Sequence, residues 1–457
     1  MTTSPPTPFF VLGHPRSGTT ALARLLNASE RAACIFYEGN LLYRLHRILA
    51  RHRVLEEPHI DLITDFEVTA RHNLIDKPGR SGICKPVFNK AAVASMVKGF
   101  AGDLERIQDT PALFNSTAQR FFRLFSGNGN FYAVGDKVPD YINIPDALHT
   151  AVPGAKLLYI KRDPRASVHS ALRFGKDGLH LFAAPDALAM GFAWILRHLG
   201  MEKFAHRIDP GHLLALQQEN LMTDPLSVAE KSAEFLGFSV DGPIKKHIEA
   251  ASQRLNIKNW YTEMAPEDIS AVESAICEAG LGREISDPSP GPTGNSWSEK
   301  AASLAPLIGC RNEAVPGVVQ TARDCFRGKY ASETLGQALV QFADWAHLKT
   351  DDDRAGLLYR EAVRLLPKNP VLGFKYGEFC FDIKHLEAAK SLFQDAMETC
   401  PDTDYFRFLK AKALYLLGRT DRLSGKRYSA ENFFKESLEI FKDFELPKAM
   451  LKAMAGS

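Results

Sequence analysis

The first strongly apolar stretch of the chain is Phe9-Phe10-Val11-Leu12, whose two aromatics and one Val read as a short buried strand. At Gly13 the pattern breaks into Gly13-His14-Pro15-Arg16-Ser17-Gly18, a tight turn, and from Thr19 the apolar positions fall at helical spacing, with Leu22, Leu25 and Leu26 on one face. The order is strand, glycine-rich loop, helix. Residues 21 to 75 read as mostly helical, with Leu41, Leu42, Leu45, Ile48 and Leu49 on one face, 81 to 88 as a short strand, and 90 to 126 as helices. Asn130 to Tyr141 and Lys156 to Ile160 each carry an apolar strand that runs into charged residues, and His212 to Leu216 reads as a late core strand. Strands alternating with helices in this way predict an α/β domain with a mainly parallel sheet flanked by helices.

The pattern changes near the last third of the chain. Ser286 to Ser296 is packed with turn formers and cannot build a core, so it marks the end of the first domain, and 297 to 335 is helical but irregular. Beyond 336 the chain repeats: Ala355, Tyr359, Ala362 and Pro367 recur 34 residues on as Ala389, Phe393, Ala396 and Pro401. Gly377 and Cys380 take first-helix positions, and Ala430, Phe434 and Ser437 continue the series after a 7-residue insertion near Gly418 to Arg427. This small–aromatic–small–Pro pattern resembles tetratricopeptide repeats, which implies an all-α domain that binds a protein or peptide partner or packs on its neighbour. The expected division is 1–285, 286–335 and 336–457.

Composition narrows the function. With 45% hydrophobic and 24% charged residues and a formal charge of +2, the 457-residue chain has ordinary globular usage and no excess charge for coating nucleic acid. The repeat region, with 19 basic and 19 acidic residues over 331–457, offers no basic arm either. Seven scattered cysteines without C-x-x-C spacing fit reduced thiols. No run approaches the length of a membrane span, and the start of the chain lacks a charged n-region, so a cytoplasmic location is expected.

The loop carries the chemistry. Two glycines let successive N–H groups converge, and the helix N-terminus adds its dipole, which together cradle an anion. The nucleoside-triphosphate form of such a loop is G-x-x-x-x-G-K-[ST]. Here Gly13 and Gly18 have that spacing, but Thr19 stands where the Lys belongs and the cation sits inside the loop as Arg16. That pattern suits an anion that needs no metal better than it suits a nucleotide kinase.

Gly13-x-Pro15-Arg16-Ser17-Gly18-Thr19-Thr20 resembles the 5′-phosphosulfate loop of sulfotransferases that use 3′-phosphoadenosine 5′-phosphosulfate (PAPS), and the Arg form is most similar to tyrosylprotein sulfotransferases and their bacterial relatives. The resemblance implies that Arg16, Ser17, Gly18, Thr19 and Thr20 hold the phosphosulfate. It implies a second cation in Asp136-Lys137-Val138-Pro139, where Lys137 leans over the transferring group. It also implies a 3′-phosphate anchor made by Arg162 and Ser170 in Arg162-Asp163-Pro164-Arg165-Ala166-Ser167-Val168-His169-Ser170, the Arg bidentate and the Ser through its hydroxyl. The tyrosylprotein branch continues with an Arg where this chain has Phe174, and Arg173 stands one position earlier.

An acceptor hydroxyl must lose its proton as it attacks sulfur, and Glu38, between the loop helix and the next one, matches the general base of that branch; a histidine is the other choice, although His14 fits better as a loop residue. Asn259-Trp260-Tyr261 resembles the segment that closes over the adenine. The expected reaction is sulfuryl transfer to a hydroxyl, either a protein or peptide tyrosine or a small-molecule or carbohydrate alcohol. The reading from a different class is a catalytically silent scaffold that works through its repeats.

Overall fold

The computed structural model describes residues 5–35, 40–49, 59–76, 88–126, 130–176, 186–252, 260–285, 296–327 and 331–455. These form two compact units, Met1–Arg162 with Arg197–Asn259, and Asp163–Leu196 with Trp260–Ser457.

The first unit is built on a five-stranded parallel sheet, in the order β2-β3-β1-β4-β5, of β1 (Thr7–Gly13), β2 (Ala32–Ile35), β3 (Ala133–Lys137), β4 (Lys156–Lys161) and β5 (Leu213–Gln217). β1 lies at the centre, which explains its unbroken apolar run. Phe10 and Leu12 enter one core layer, Phe9 and Val11 the other, and none of the four is exposed. At about 1.5–3 kcal/mol for each large side chain buried, this one strand anchors both layers.

Helices α1 (Thr19–Ala28), α10 (Pro225–Phe235) and α11 (Gly242–Ser252) cover the Phe9 face. Helices α2 (Leu41–Leu49), α3 (His59–Arg71), α4 (Lys90–Arg106), α5 (Thr110–Ser126) and α6 (Pro145–Ala151) cover the Phe10 face. A short α9 (Gln218–Thr223) follows β5 directly. The parallel sheet with helices on both faces is the expected α/β class. One element departs from the sequence reading: Ala32-Ala33-Cys34-Ile35, within the stretch expected to be helical, is the edge strand β2 on β3. Four buried residues between turns are too few to show a period, and only the neighbouring strand decides them. The strand expected at 81–88 lies, but for Phe88, outside the described residues, as does the linker 286–295.

The second unit is all-helical. It contains α7 (Pro164–Lys176), the first part of α8 (Ala187–Ala205), α12 (Trp260–Glu263), α13 (Pro266–Glu278), α14 (Ser296–Leu304) and α15 (Val315–Cys325). Then come three successive helix pairs: α16 (Ala331–Leu348) with α17 (Asp352–Leu365), α18 (Pro370–Asp382) with α19 (Leu386–Thr399), and α20 (Asp404–Leu423) with α21 (Arg427–Ile440); α22 (Glu445–Ala455) follows. Ala355, Tyr359, Ala362, Ala389, Phe393, Ala396, Ala430, Phe434 and Ser437 are all buried in the second helices of these pairs.

Their small partners matter as much. A Cβ on Gly377 would lie 2.7 Å from the Phe393 ring, and one on Gly418 would lie 2.5 Å from the Phe434 ring, so each glycine admits the aromatic of its own pair. The insertion lengthens a helix: α20 has 20 residues where α18 has 13.

Candidate active site at the strand ends

β1 ends at Gly13, where a Cβ would lie 2.5 Å from the Ile160 carbonyl oxygen on β4 and 2.6 Å from Ser17 Oγ. Nothing larger than glycine fits there without moving the loop. The chain then folds back, with Ser17 N donating to His14 O at 3.0 Å, and Arg16 and Gly18 both adopt left-handed conformations, φ 71° and 93°. A left-handed arginine costs on the order of 1 kcal/mol or more and persists where its surroundings hold it. Arg162, at the end of β4, does so, its Nη1 donating to Arg16 O at 2.7 Å.

Helix α1 starts at Thr19 with no side-chain cap and no acidic residue in its first turn, so its leading N–H groups are left for a ligand or solvent. The Ser17 side chain is fully buried, and its Oγ has no hydrogen-bond partner among the described residues.

Strand alternation supplies the next cation. Val11 pairs with Lys137 and Phe10 with Asp136, so Lys137 lies on the α1 side of the sheet and Asp136 on the other. Lys137 is 1% exposed, and its Nζ donates to Thr20 Oγ1 at 3.0 Å, which leaves the Thr20 hydroxyl proton for another acceptor. Asp136 accepts from Tyr141 Oη at 2.6 Å, and burial, only partly offset by that bond and by Lys137, pushes its carboxyl up to about 6.

His14 is also buried; that burial, and then the charges of Arg197, His198 and Lys161, hold its pKa well below the usual range, so the imidazole is neutral at neutral pH. Behind the turn, Asn143 Nδ2 donates to Tyr43 Oη at 3.3 Å, and burial, with Asp140 adding to it, raises the Tyr43 phenol to about 12.

Arg16, Ser17, Gly18, Thr19, Thr20, Lys137 and Arg162 thus come together in the first unit, from three adjacent strands and one helix start. Ser170 lies in the second unit, half-buried on α7. The start of that helix is closed by its own residue: Asp163 Oδ1 accepts from Arg165 N at 2.8 Å, and the fully buried Arg165 pairs with Asp163 at 2.8 Å and Glu273 at 2.7 Å. Arg173 pairs with Glu263, whose carboxylate is 4.0 Å from His169 Nε2. Glu38 and Asn259 lie outside the described residues. Arg197 and Tyr43 were not singled out from sequence. Neither stands in a motif, and only folding brings the charge of Arg197 to bear on both His14 and Tyr43.

An uncapped helix start, a buried hydroxyl without a partner and a buried ammonium, with no carboxylate in the helix's first turn, make an anion site. A sequence profile of the sulfotransferase family matches residues 8–242, just over half of the chain. The chain belongs to the sulfotransferase family. The matched region holds the loop and all of the sheet but Thr7, and members of the family generally take their sulfuryl group from PAPS.

Similar solved structures include a sulfotransferase from Mycobacterium avium (16% identity, 56% of this chain and 70% of that one, TM-score 0.34). Others are the sulfotransferase domain of the Synechococcus PCC 7002 olefin synthase (18%, 53% and 78%, 0.33) and a sulfotransferase from Alicyclobacillus acidocaldarius (16%, 60% and 97%, 0.31). No curated protein sequence matches the chain. Among the described residues of this sulfotransferase, no helix is long and apolar enough to cross a membrane.

Proposed function

We propose that the enzyme moves the sulfuryl group of PAPS to an acceptor hydroxyl, and that the acceptor is a protein or peptide tyrosine. The observation that carries the donor is the Ser17 hydroxyl, buried with no partner among the described residues at the uncapped start of α1, the helix whose Thr20 accepts from the Lys137 ammonium. A phosphosulfate would supply an acceptor for the Ser17 hydroxyl and for the leading N–H groups of α1. In this reading the N–H groups of 16 to 20, the Ser17 and Thr20 hydroxyls and Arg16 bind the 5′-phosphosulfate. Lys137 stabilises charge on the bridging and leaving oxygens, the part that metal ions share with side chains in phosphoryl transfer.

Arg162 is assigned to the 3′-phosphate together with Ser170, the latter on its sequence motif alone. Its bond to Arg16 O supports a further duty, holding the loop in its left-handed turn. Glu38 is assigned as the base on resemblance. Glu38→Gln is expected to remove turnover while the affinity for 3′,5′-adenosine bisphosphate stays near wild type, and retained turnover would return the role to a histidine.

Tyrosine is favoured as acceptor by the Arg form of the loop, by the Arg162 to Ser170 run, and by a helical-repeat region suited to peptides. Label transfer from ³⁵S-PAPS to a panel of tyrosine peptides, phenols and sugars tests it. Label on the tyrosine peptides supports the reading, and label confined to sugars replaces the acceptor by a carbohydrate alcohol. Donor binding without transfer to any of them favours the scaffold.

A further inference from the structure

At the opposite end of the sheet from the glycine-rich loop, the starts of β2 and β3 and the α10–α11 corner line an open surface cleft of about 650 Å³. It is within the usual size of small-ligand sites, roughly 300–1,000 Å³. Nothing in the sulfuryl-transfer reading uses it. Its walls carry both signs of charge. Glu230 and Glu234, one helical turn apart on α10, present two exposed carboxylates that make no ion pair or side-chain hydrogen bond to any described residue, and Lys245 on α11 is likewise free. Arg31 lines the same cleft: its Nη1 donates to Ser239 Oγ at 3.1 Å and its guanidinium lies 5.6 Å from the centre of the Tyr132 ring.

The third acid of the corner, Asp241, is fully engaged. It accepts from Ser29 Oγ at 2.7 Å, Glu30 N at 2.9 Å and Ile244 N at 3.2 Å. Asp241 is thus taken up by the corner itself, whereas the two glutamates line the cleft together with Arg31 and the 41%-exposed Tyr132.

We propose that this cleft is a second binding site, for a ligand that joins a cationic amine or guanidinium to a carboxylate: a basic amino acid, or the basic C-terminal residue of a peptide. Glu230 and Glu234 take the cationic end, Arg31 and Lys245 the carboxylate, and Tyr132 packs on the aliphatic stem. A simple anion leaves the glutamates unmatched, and a simple cation leaves Arg31 and Lys245 unmatched, so the cleft selects a molecule that carries both.

Calorimetric titration of the full chain with L-arginine, with a Lys-Arg dipeptide and with N-acetyl-arginine amide, which lacks the carboxylate, is the test. Saturable binding of either of the first two is expected, with at least tenfold weaker binding of the amide, of the Glu230→Gln/Glu234→Gln variant and of the Arg31→Gln variant. Tighter binding of L-arginine points to the free amino acid, and tighter binding of the dipeptide points to a peptide end. Affinity for 3′,5′-adenosine bisphosphate should be the same in all three proteins, which separates this site from the donor site and reports that the variants are folded. No saturable heat at millimolar concentration, or equal binding by wild type and variants, overturns the proposal.

Discussion

Replacing Ser17 by alanine should stabilise the ligand-free enzyme and weaken its hold on the donor. The Ser17 hydroxyl is buried with no partner among the described residues, and a buried polar group left unsatisfied costs about 1–3 kcal/mol. Alanine removes the hydroxyl, leaves the Ser17 N to His14 O bond intact, and opens no cavity larger than one atom. Taking the low end, the variant gains about 1 kcal/mol, or about 2–4 °C in Tm for a unit of this size. With donor bound, the same hydroxyl donates to a charged oxygen, a bond worth about 1.5–3 kcal/mol, so affinity falls by about 10- to 150-fold.

The two effects cross. At a ligand concentration 100 times the wild-type Kd, the wild type gains about 2.7 kcal/mol, whereas a variant binding 100-fold more weakly gains only about 0.4 kcal/mol. The variant therefore melts above wild type without ligand and below it with ligand. Thermal unfolding of both proteins, with and without 3′,5′-adenosine bisphosphate, reads the crossing. A ligand-free variant less stable than wild type would mean that the hydroxyl already has a partner. Equal affinities would mean that it does not face the ligand, and either result refutes the reasoning.

Three further outcomes follow from the sheet. Lys137→Ala should lower kcat by about 10²–10³-fold, measured by label transfer from PAPS, because a fixed cation is lost where charge develops; unchanged turnover would remove Lys137 from the reaction. Gly135→Ala should destabilise the first unit by about 1–3 kcal/mol in chemical unfolding, since the new Cβ would lie 2.3 Å from the Phe9 ring across the β1–β3 pair. Asp136, with its carboxyl raised from 3.8 to about 6, favours folding while protonated in the native state, and this contribution is lost as pH rises from about 4 through 6. The loss is about 3 kcal/mol, from about two pKa units. Asp136→Asn, which keeps an acceptor for Tyr141, should therefore lose less stability than wild type between pH 4 and 7, and parallel pH curves would argue against the shift.

The first strand, the loop and the cations on the neighbouring strands were legible because each is local. An apolar run, two glycines and a charged residue at a strand end need no knowledge of the rest of the chain. The all-helical character of the C-terminal region was legible in the same way, and there Phe393 and Phe434 pack on small residues of their own helix pairs. β2 was not legible, because Ala32 to Ile35 becomes a strand only when β3 lies beside it.

Nor was the opposed setting of Asp136 and Lys137, which depends on the register with Phe10 and Val11. Arg197 was invisible for a related reason: its charge acts through space on His14 and Tyr43, and no motif marks it. Sequence also gave no hint that the chain leaves the first unit at Arg162 and re-enters it at Arg197, since no change in composition accompanies either point.

The central claim, that the strand ends form a site for PAPS, is tested most directly by calorimetric titration of the purified enzyme with 3′,5′-adenosine bisphosphate and, separately, with ATP. A loop that lacks the lysine of nucleoside-triphosphate sites and relies on Arg16, Lys137 and Arg162 predicts binding of the bisphosphate at least tenfold tighter than of ATP. Equal or tighter binding of ATP would contradict it.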